Sequence, residues 1–483
     1  MKYIYKISLV IMFVAVISTA VYITHGKNPD GVGDLSLSRV ITLGDDGFIP
    51  SELTILEGES VTFVTTRSNF FWPASNLHPS HSIYSEFDPK RPLTPEESWT
   101  FTFNKSGQWE YHDHLTPYFI GTIFVHGENK VEGVCEREGG SIECLGSKIL
   151  NILDKDGVDA AYNEIANLYE VNKDFKESCH SIAHNVGLAS FKYYLKDENS
   201  VLSKKTSVCA YGFYHGFMEA LLTRTGDVSA ARDFCLFVGR RMNQDTPDAE
   251  LQCFHGIGHG AVDLAVATDG PQKDERNLVD NSLRICEQVS QTNEEIYRCT
   301  SGVYNSLANI YITNEGYILR KDDPLWICKE QPEEYKESCY GNMNTLLMGV
   351  TDRDLSKAVP LIREIEYSHQ VSSMRYLANL SSIYTILGNN NYDGQLAVCR
   401  SLESRLHNPC IEGLVLGLLE HGAPEKEYVE AIEFCGSKSL TEVERDICFS
   451  ASIGNITEWY SLPKAKEICL NLEERYQHYC TQI

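Results

Sequence analysis

Three patterns of apolar and polar positions follow one another along the chain. Lys2 and Lys6 precede an apolar run, Ile7 to Ile23, broken only by Ser8, Ser18 and Thr19. About 17 such residues lie near the lower limit for crossing a bilayer and exceed the usual core of a secretory signal. No convincing A-x-A-like site precedes Gly26, and no Cys is there for lipid attachment. Residues 1–26 therefore predict an uncleaved signal anchor with its lysines inside; a cleaved signal is the alternative. Both place residues from about 27 onward outside the cytoplasm, in the periplasm or at the cell surface.

Residues 38–127 alternate apolar and polar positions in short, β-branched runs. Strands are predicted at Val40–Leu43, Leu53–Leu56, Ser60–Thr66, Ser98–Phe103, Gly107–His112 and Gly121–His126, with turn signals such as Asp45-Asp46-Gly47 and Glu57-Gly58-Glu59 between them. So many short strands in about 90 residues predict an all-β sandwich. Residues 135–483 change to helix-like segments separated by polar, Glu-rich stretches. The expected fold class is multidomain: a transmembrane anchor, an all-β sandwich and an all-α helical-repeat array.

The sandwich segment carries a resemblance. Phe48-Ile49-Pro50 with Leu53 to Phe63 is similar to the front half of a cupredoxin, and Phe101 to Val125 is similar to its back half. The resemblance implies the cupredoxin fold but no blue-copper site. The places of that family's Cys, His and Met fall on Asp113, Thr116 and Phe119, and its early His falls near Phe71 to Pro73. Histidines stand elsewhere. Tyr111-His112-Asp113-His114 resembles the Tyr-His-x-His strand end of multicopper oxidases, and His78-Pro79-Ser80-His81 resembles another copper segment of that family. The resemblance implies a histidine-ligated copper at His78, His81, His112 and His114. At strand period two, His112 and His114 share a face, and neutral imidazole suits Cu(II) and Zn(II). Asp88 and Asp113 could supply oxygen ligands or orient the histidines. Phe70, Phe71 and Trp72 are expected in the core.

The chain has 16 cysteines. None falls in the sandwich. They recur in pairs at 235/253, 286/299, 328/339, 399/410, 435/448 and 469/480, each enclosing a polar stretch, and Gly follows the second member at +3 in Gly256, Gly302 and Gly413. The segment Leu361–Tyr376 keeps the pattern with Ile362 and Arg375 in the cysteine places. Two cysteines missing together point to two that work together, so local disulfides are predicted, with Cys179/Cys209 and Cys135/Cys144 as further pairs. No C-x-x-C motif supports a redox dithiol or an attached haem. The period loosely resembles tetratricopeptide-like or Sel1-like helical repeats.

A second histidine group lies in the array: His180, His184, His215, His255 and His259. His180/His184 and His255/His259 are i, i+4 pairs, each on one helical face. His215 and His259 hold equivalent places after their cysteines, and equivalent positions line up in stacked repeats. Glu219 and Asp263 follow one turn later, and glycines flank the group. This pattern predicts a second site for copper, zinc or iron, or else a tight Gly-and-His helix interface.

Composition limits the function. With 42% hydrophobic and 23% charged residues, a disordered, collagen-like or polytopic chain is excluded. A net charge of −25 repels phosphate backbones, so no nucleic-acid partner is expected. The expectation is a membrane-anchored, extracytoplasmic copper-binding protein with a redox or electron-transfer role. It would be a copper-dependent oxidoreductase only if a partner chain completed the site. The alternatives are a protein-interaction scaffold built on the array and a copper-sequestering protein. The membrane, through the N-terminal helix, and a redox or protein partner, through the array, are the expected contacts.

Overall fold

The structure is a computed structural model. It describes residues 39–45, 47–76, 81, 84–105, 107–126, 142–242, 244–269, 275–313, 320, 322–384 and 392–483. The expected anchor, His78 and Cys135 lie outside the described residues. Among the described residues no helix is long and apolar enough to cross a membrane.

The strands are β1 (Val40–Gly44), β2 (Gly47–Ile49), β3 (Glu52–Leu56), β4 (Ser60–Thr65), β5 (Pro73–Ser75), β6 (Trp99–Thr102), β7 (Gly107–Asp113) and β8 (Thr116–His126). They form two four-stranded sheets, ordered β2-β1-β4-β6 and β3-β8-β7-β5. β1 runs parallel to β4 and β3 parallel to β8; the other pairings are antiparallel. Alternation decides which side chains turn inward. Ile41, Leu43, Val61 and Phe63 meet Phe87, Phe103, Tyr111 and Ile123 in an apolar core rich in aromatic rings. Gly121 lies opposite Tyr111, where a Cβ would run into the Tyr111 ring. The segment is thus a two-sheet β-sandwich, as its alternation predicts. Phe71 and Trp72 are buried as expected, but Phe70 is exposed.

The helical region begins at Ile142–Asp156. Its inner helices are Lys173–Tyr194, Gly212–Thr225, Ala249–Asp269, Asn293–Thr313, Glu333–Asn342 with Asn344–Val350, Gln370–Ser382, Ser404–His421 and Glu442–Asn455. Further helices, such as Val228–Met242, Glu275–Val289 and Glu427–Cys435, back them. Local chemistry sets the helix starts: Asn172 accepts a hydrogen bond from the Phe175 N–H, and Thr441 with Glu444 forms a capping box.

Seven disulfides join 179/209, 235/253, 286/299, 328/339, 399/410, 435/448 and 469/480, with Cα–Cα distances between 5.3 and 5.8 Å. Cys144 is also disulfide-bonded. In the unit lacking cysteines, Ile362 is buried as its place requires. Arg375 is not; it pairs with Glu412 at 2.7 Å, and its buried neighbours Ser373 and Met374 point into the core. So many bridges, with no free cysteine among the described residues, imply an oxidising, extracytoplasmic environment.

Successive inner helices pack side by side, and side chains of the last units reach back to the first. Tyr169 Oη donates to the His421 carbonyl at 2.6 Å, Lys426 pairs with Glu170 at 2.7 Å, and Tyr211 Oη donates to the Glu458 carbonyl at 3.0 Å. The Trp459 ring lies 5.1 Å from that of Tyr211. The array closes into a ring, not an open solenoid. The sandwich does not stand apart from it. Trp72, Ala74 and Leu115 belong to the same hydrophobic cluster as the helices, and the Arg224 guanidinium covers the Tyr118 ring at 5.0 Å. Val40–Ile483 is accordingly one compact unit.

Candidate metal centres

The first centre lies where the β5 edge and the β7–β8 turn press against the helices. His81, His112 and His114 are buried, and one nitrogen from each lies within 4.8 Å of the others. His112 belongs to β7 and His114 to the turn after it. The register shifts between His112 and Asp113, yet both rings reach the same point, 6.1 Å apart. His81 Nε2 is 2.9 Å from His114 Nδ1.

Each ring is oriented from outside. Asp88 Oδ2 lies 2.5 Å from His81 Nδ1, and Asn76 Oδ1 lies 2.9 Å from His112 Nδ1. The Trp72 ring packs on His114 at 4.6 Å and donates its Nε1–H to Asp88 at 2.8 Å. Burial alone would raise the Asp88 carboxyl; its bonds to His81 and Lys90 outweigh that and hold it well below the usual range. Asp113 takes no part. It accepts from the Trp72 N–H at 2.6 Å and from Thr116, and burial raises its pKa. The carboxylate serving this centre is Asp88, in an orienting role. Asn76 was not foreseen, because its contact depends on the β5–β7 pairing of Ala74 with His112. Residues 38–127 contain no cysteine, so a blue-copper site is absent from the described sandwich.

The second centre is in the ring wall. A cavity of about 990 Å³ fills the ring, with residues of every inner helix on its surface. His184, His215 and His259 meet there, each offering a nitrogen within 4.8 Å of the others. The equivalent places of His215 and His259 bring their rings into a stack, 4.4 Å apart and 19° from parallel. Glu219 Oε1 lies 3.0 Å from His184 Nε2 and 3.5 Å from His259 Nδ1. His180 and His255 are neighbours outside this trio. His180 Nδ1 bonds the Cys209 carbonyl at 3.1 Å, and the His255 ring lies 4.9 Å from that of His215. His421, from the far end of the chain, also reaches the cavity, 6.4 Å from the His180 ring; it becomes a neighbour only through ring closure.

Burial pushes His180 down to about 3 and His421 down to about 4, and takes His215 and His255 well below the usual imidazole range, with neighbouring histidines adding to the shift for all but His421. These rings are neutral at pH 7, the form a metal takes. For His184, burial acts downward, but the Glu219 charge and hydrogen bond outweigh it.

The flanking glycines serve helix packing. A Cβ on Gly216 would strike the His184 carbonyl, one on Gly256 the Tyr214 carbonyl and one on Gly302 the His255 carbonyl. Tight packing and converging histidines therefore occur together, where the sequence offered them as alternatives.

No family model matches the chain, including those of the multicopper oxidases and Sel1 repeats, and no curated protein matches it. Among solved structures, a purple cupredoxin from Nitrosopumilus maritimus is similar at 20% identity, covering 18% of this chain and 98% of that one, with a TM-score of 0.17. A Cu(I) form of an amicyanin mutant is similar at 16% identity, covering 21% of this chain and 87% of that one, with a TM-score of 0.16. At these scores the likeness carries no argument about function, which rests on the histidines.

Proposed function

We propose that this is an extracytoplasmic copper-binding protein whose sandwich centre, His81, His112 and His114, serves electron transfer. One observation carries the reading: three buried imidazoles converge within 4.8 Å, with Asp88 and Asn76 holding the outer nitrogens of two of them. Such outer partners fix ring orientation and raise ligand basicity. With Asn76 on Nδ1, His112 would offer Nε2 to the metal. An all-nitrogen set suits Cu(II), and at a given site affinity along the divalent series peaks at copper. Bound copper would supply a one-electron couple; the chain holds the ligands in place and excludes water.

Burial favours this role over handing copper on to another carrier. His81 and His112 are each 1% exposed, so release to another carrier requires the sandwich to open. The N-terminal apolar run is the reason to place the protein at a membrane surface.

Elemental analysis and electron paramagnetic resonance of the copper-loaded full chain test the proposal. A Cu(II) signal with nitrogen hyperfine structure is expected, reversibly lost with mild reductants and absent from the His112→Gln/His114→Gln double variant. Copper content unchanged in that variant would place the metal elsewhere. A bound copper that resists reduction would point to storage.

A further inference from the structure

The ring wall holds a trio that the sandwich copper does not use. His215 Nδ1 and His259 Nε2 are buried without a hydrogen-bond partner. A buried imidazole nitrogen left in this state is costly unless something else takes its lone pair. They belong to two of three histidines, the third being His184, whose rings each bring a nitrogen within 4.8 Å of the others. Glu219 Oε1 touches the Nδ1 of His259 and the Nε2 of His184, and so holds both rings in orientation. A carboxylate behind metal-ligating histidines is the usual outer-shell arrangement. Three imidazole nitrogens without sulfur suit a borderline divalent ion.

The surroundings separate this trio from the sandwich site. All three histidines lie on the surface of the central cavity. At about 990 Å³ the cavity is of the size that holds a small molecule. An ion held by three wall residues would keep its fourth position toward that space, as in zinc sites that act on substrates.

We propose that His184, His215 and His259 bind a second divalent metal ion of the zinc type, oriented by Glu219, with an open position for an exogenous ligand inside the ring. This proposal does not rest on the copper reading. Failure of copper binding at the sandwich leaves it standing.

Cobalt(II) is the reporter. The full chain carrying His112→Gln/His114→Gln is stripped of metal and titrated with Co(II), so that only the ring contributes. One equivalent with the intense visible bands of a four-coordinate ion is expected, and azide should shift those bands. Adding His215→Gln/His259→Gln should abolish them; bands that persist would overturn the site. Should that variant fail to fold by circular dichroism, Glu219→Gln decides. It is expected to weaken Co(II) binding about 10–100-fold, and an unchanged affinity would refute the assignment. A spectrum indifferent to azide would refute the open position.

Discussion

Asp88 holds together more than one neighbour. Its carboxylate meets His81 Nδ1, the Trp72 indole N–H and the Lys90 ammonium. An amide in its place could not accept from all three. Asp88→Asn is expected to lower copper affinity about 10–100-fold while leaving the three histidines in place; a competition titration against a chelator of known affinity measures it. At this scale the sequence was most legible where partners are close along the chain. His112 with His114, and Glu219 one turn from His215, could be read from spacing. Asn76 and His421 could not, because strand register brings in the first and ring closure the second.

Among the elements, the inner helices stand at the closest separation that backbones allow, and glycine makes this approach available. Gly216→Ala is expected to destabilise the fold by about 2–3 kcal/mol through overpacking against the His184 carbonyl. Gly146 is the counter-case, since a Cβ there meets nothing. Gly146→Ala, within Ile142–Asp156, should stabilise by about 0.5–1 kcal/mol through helix propensity. Urea denaturation of the two variants tests the contrast. Most of the disulfides were legible because they join neighbouring helices across a short loop; Cys179–Cys209, 30 residues apart, is the exception. The strands Gly47–Ile49 and Pro73–Ser75 escaped sequence reading because three residues carry no period. Their existence depends on pairing with β1 and β7.

At the level of the whole molecule, buried acids make stability depend on pH. Burial raises Glu427 and Glu458 to about 7, with Tyr460 partly offsetting the shift at Glu427. The folded chain keeps these protons to about pH 7, while the unfolded chain releases them near the ordinary value of 4.5. Stability contributed by the raised pKa is therefore present at low pH and lost as pH rises through about 7. For Glu427 the loss is about 3 kcal/mol. Unfolding midpoints measured at about pH 5.5 and about pH 8 should differ in that direction, and Glu427→Gln should flatten the difference.

Closure of the array also limits how the chain can change. An open stack of helix pairs tolerates the gain or loss of a unit at modest cost, because each unit touches only its neighbours. In a ring the number of units sets the curvature, so removing one would pull Tyr169 from His421 and Tyr211 from Glu458 on the opposite side. The unit between Leu355 and Ser382 can therefore do without its covalent staple but not be deleted. Its place in the circumference is fixed by the helices it does not touch.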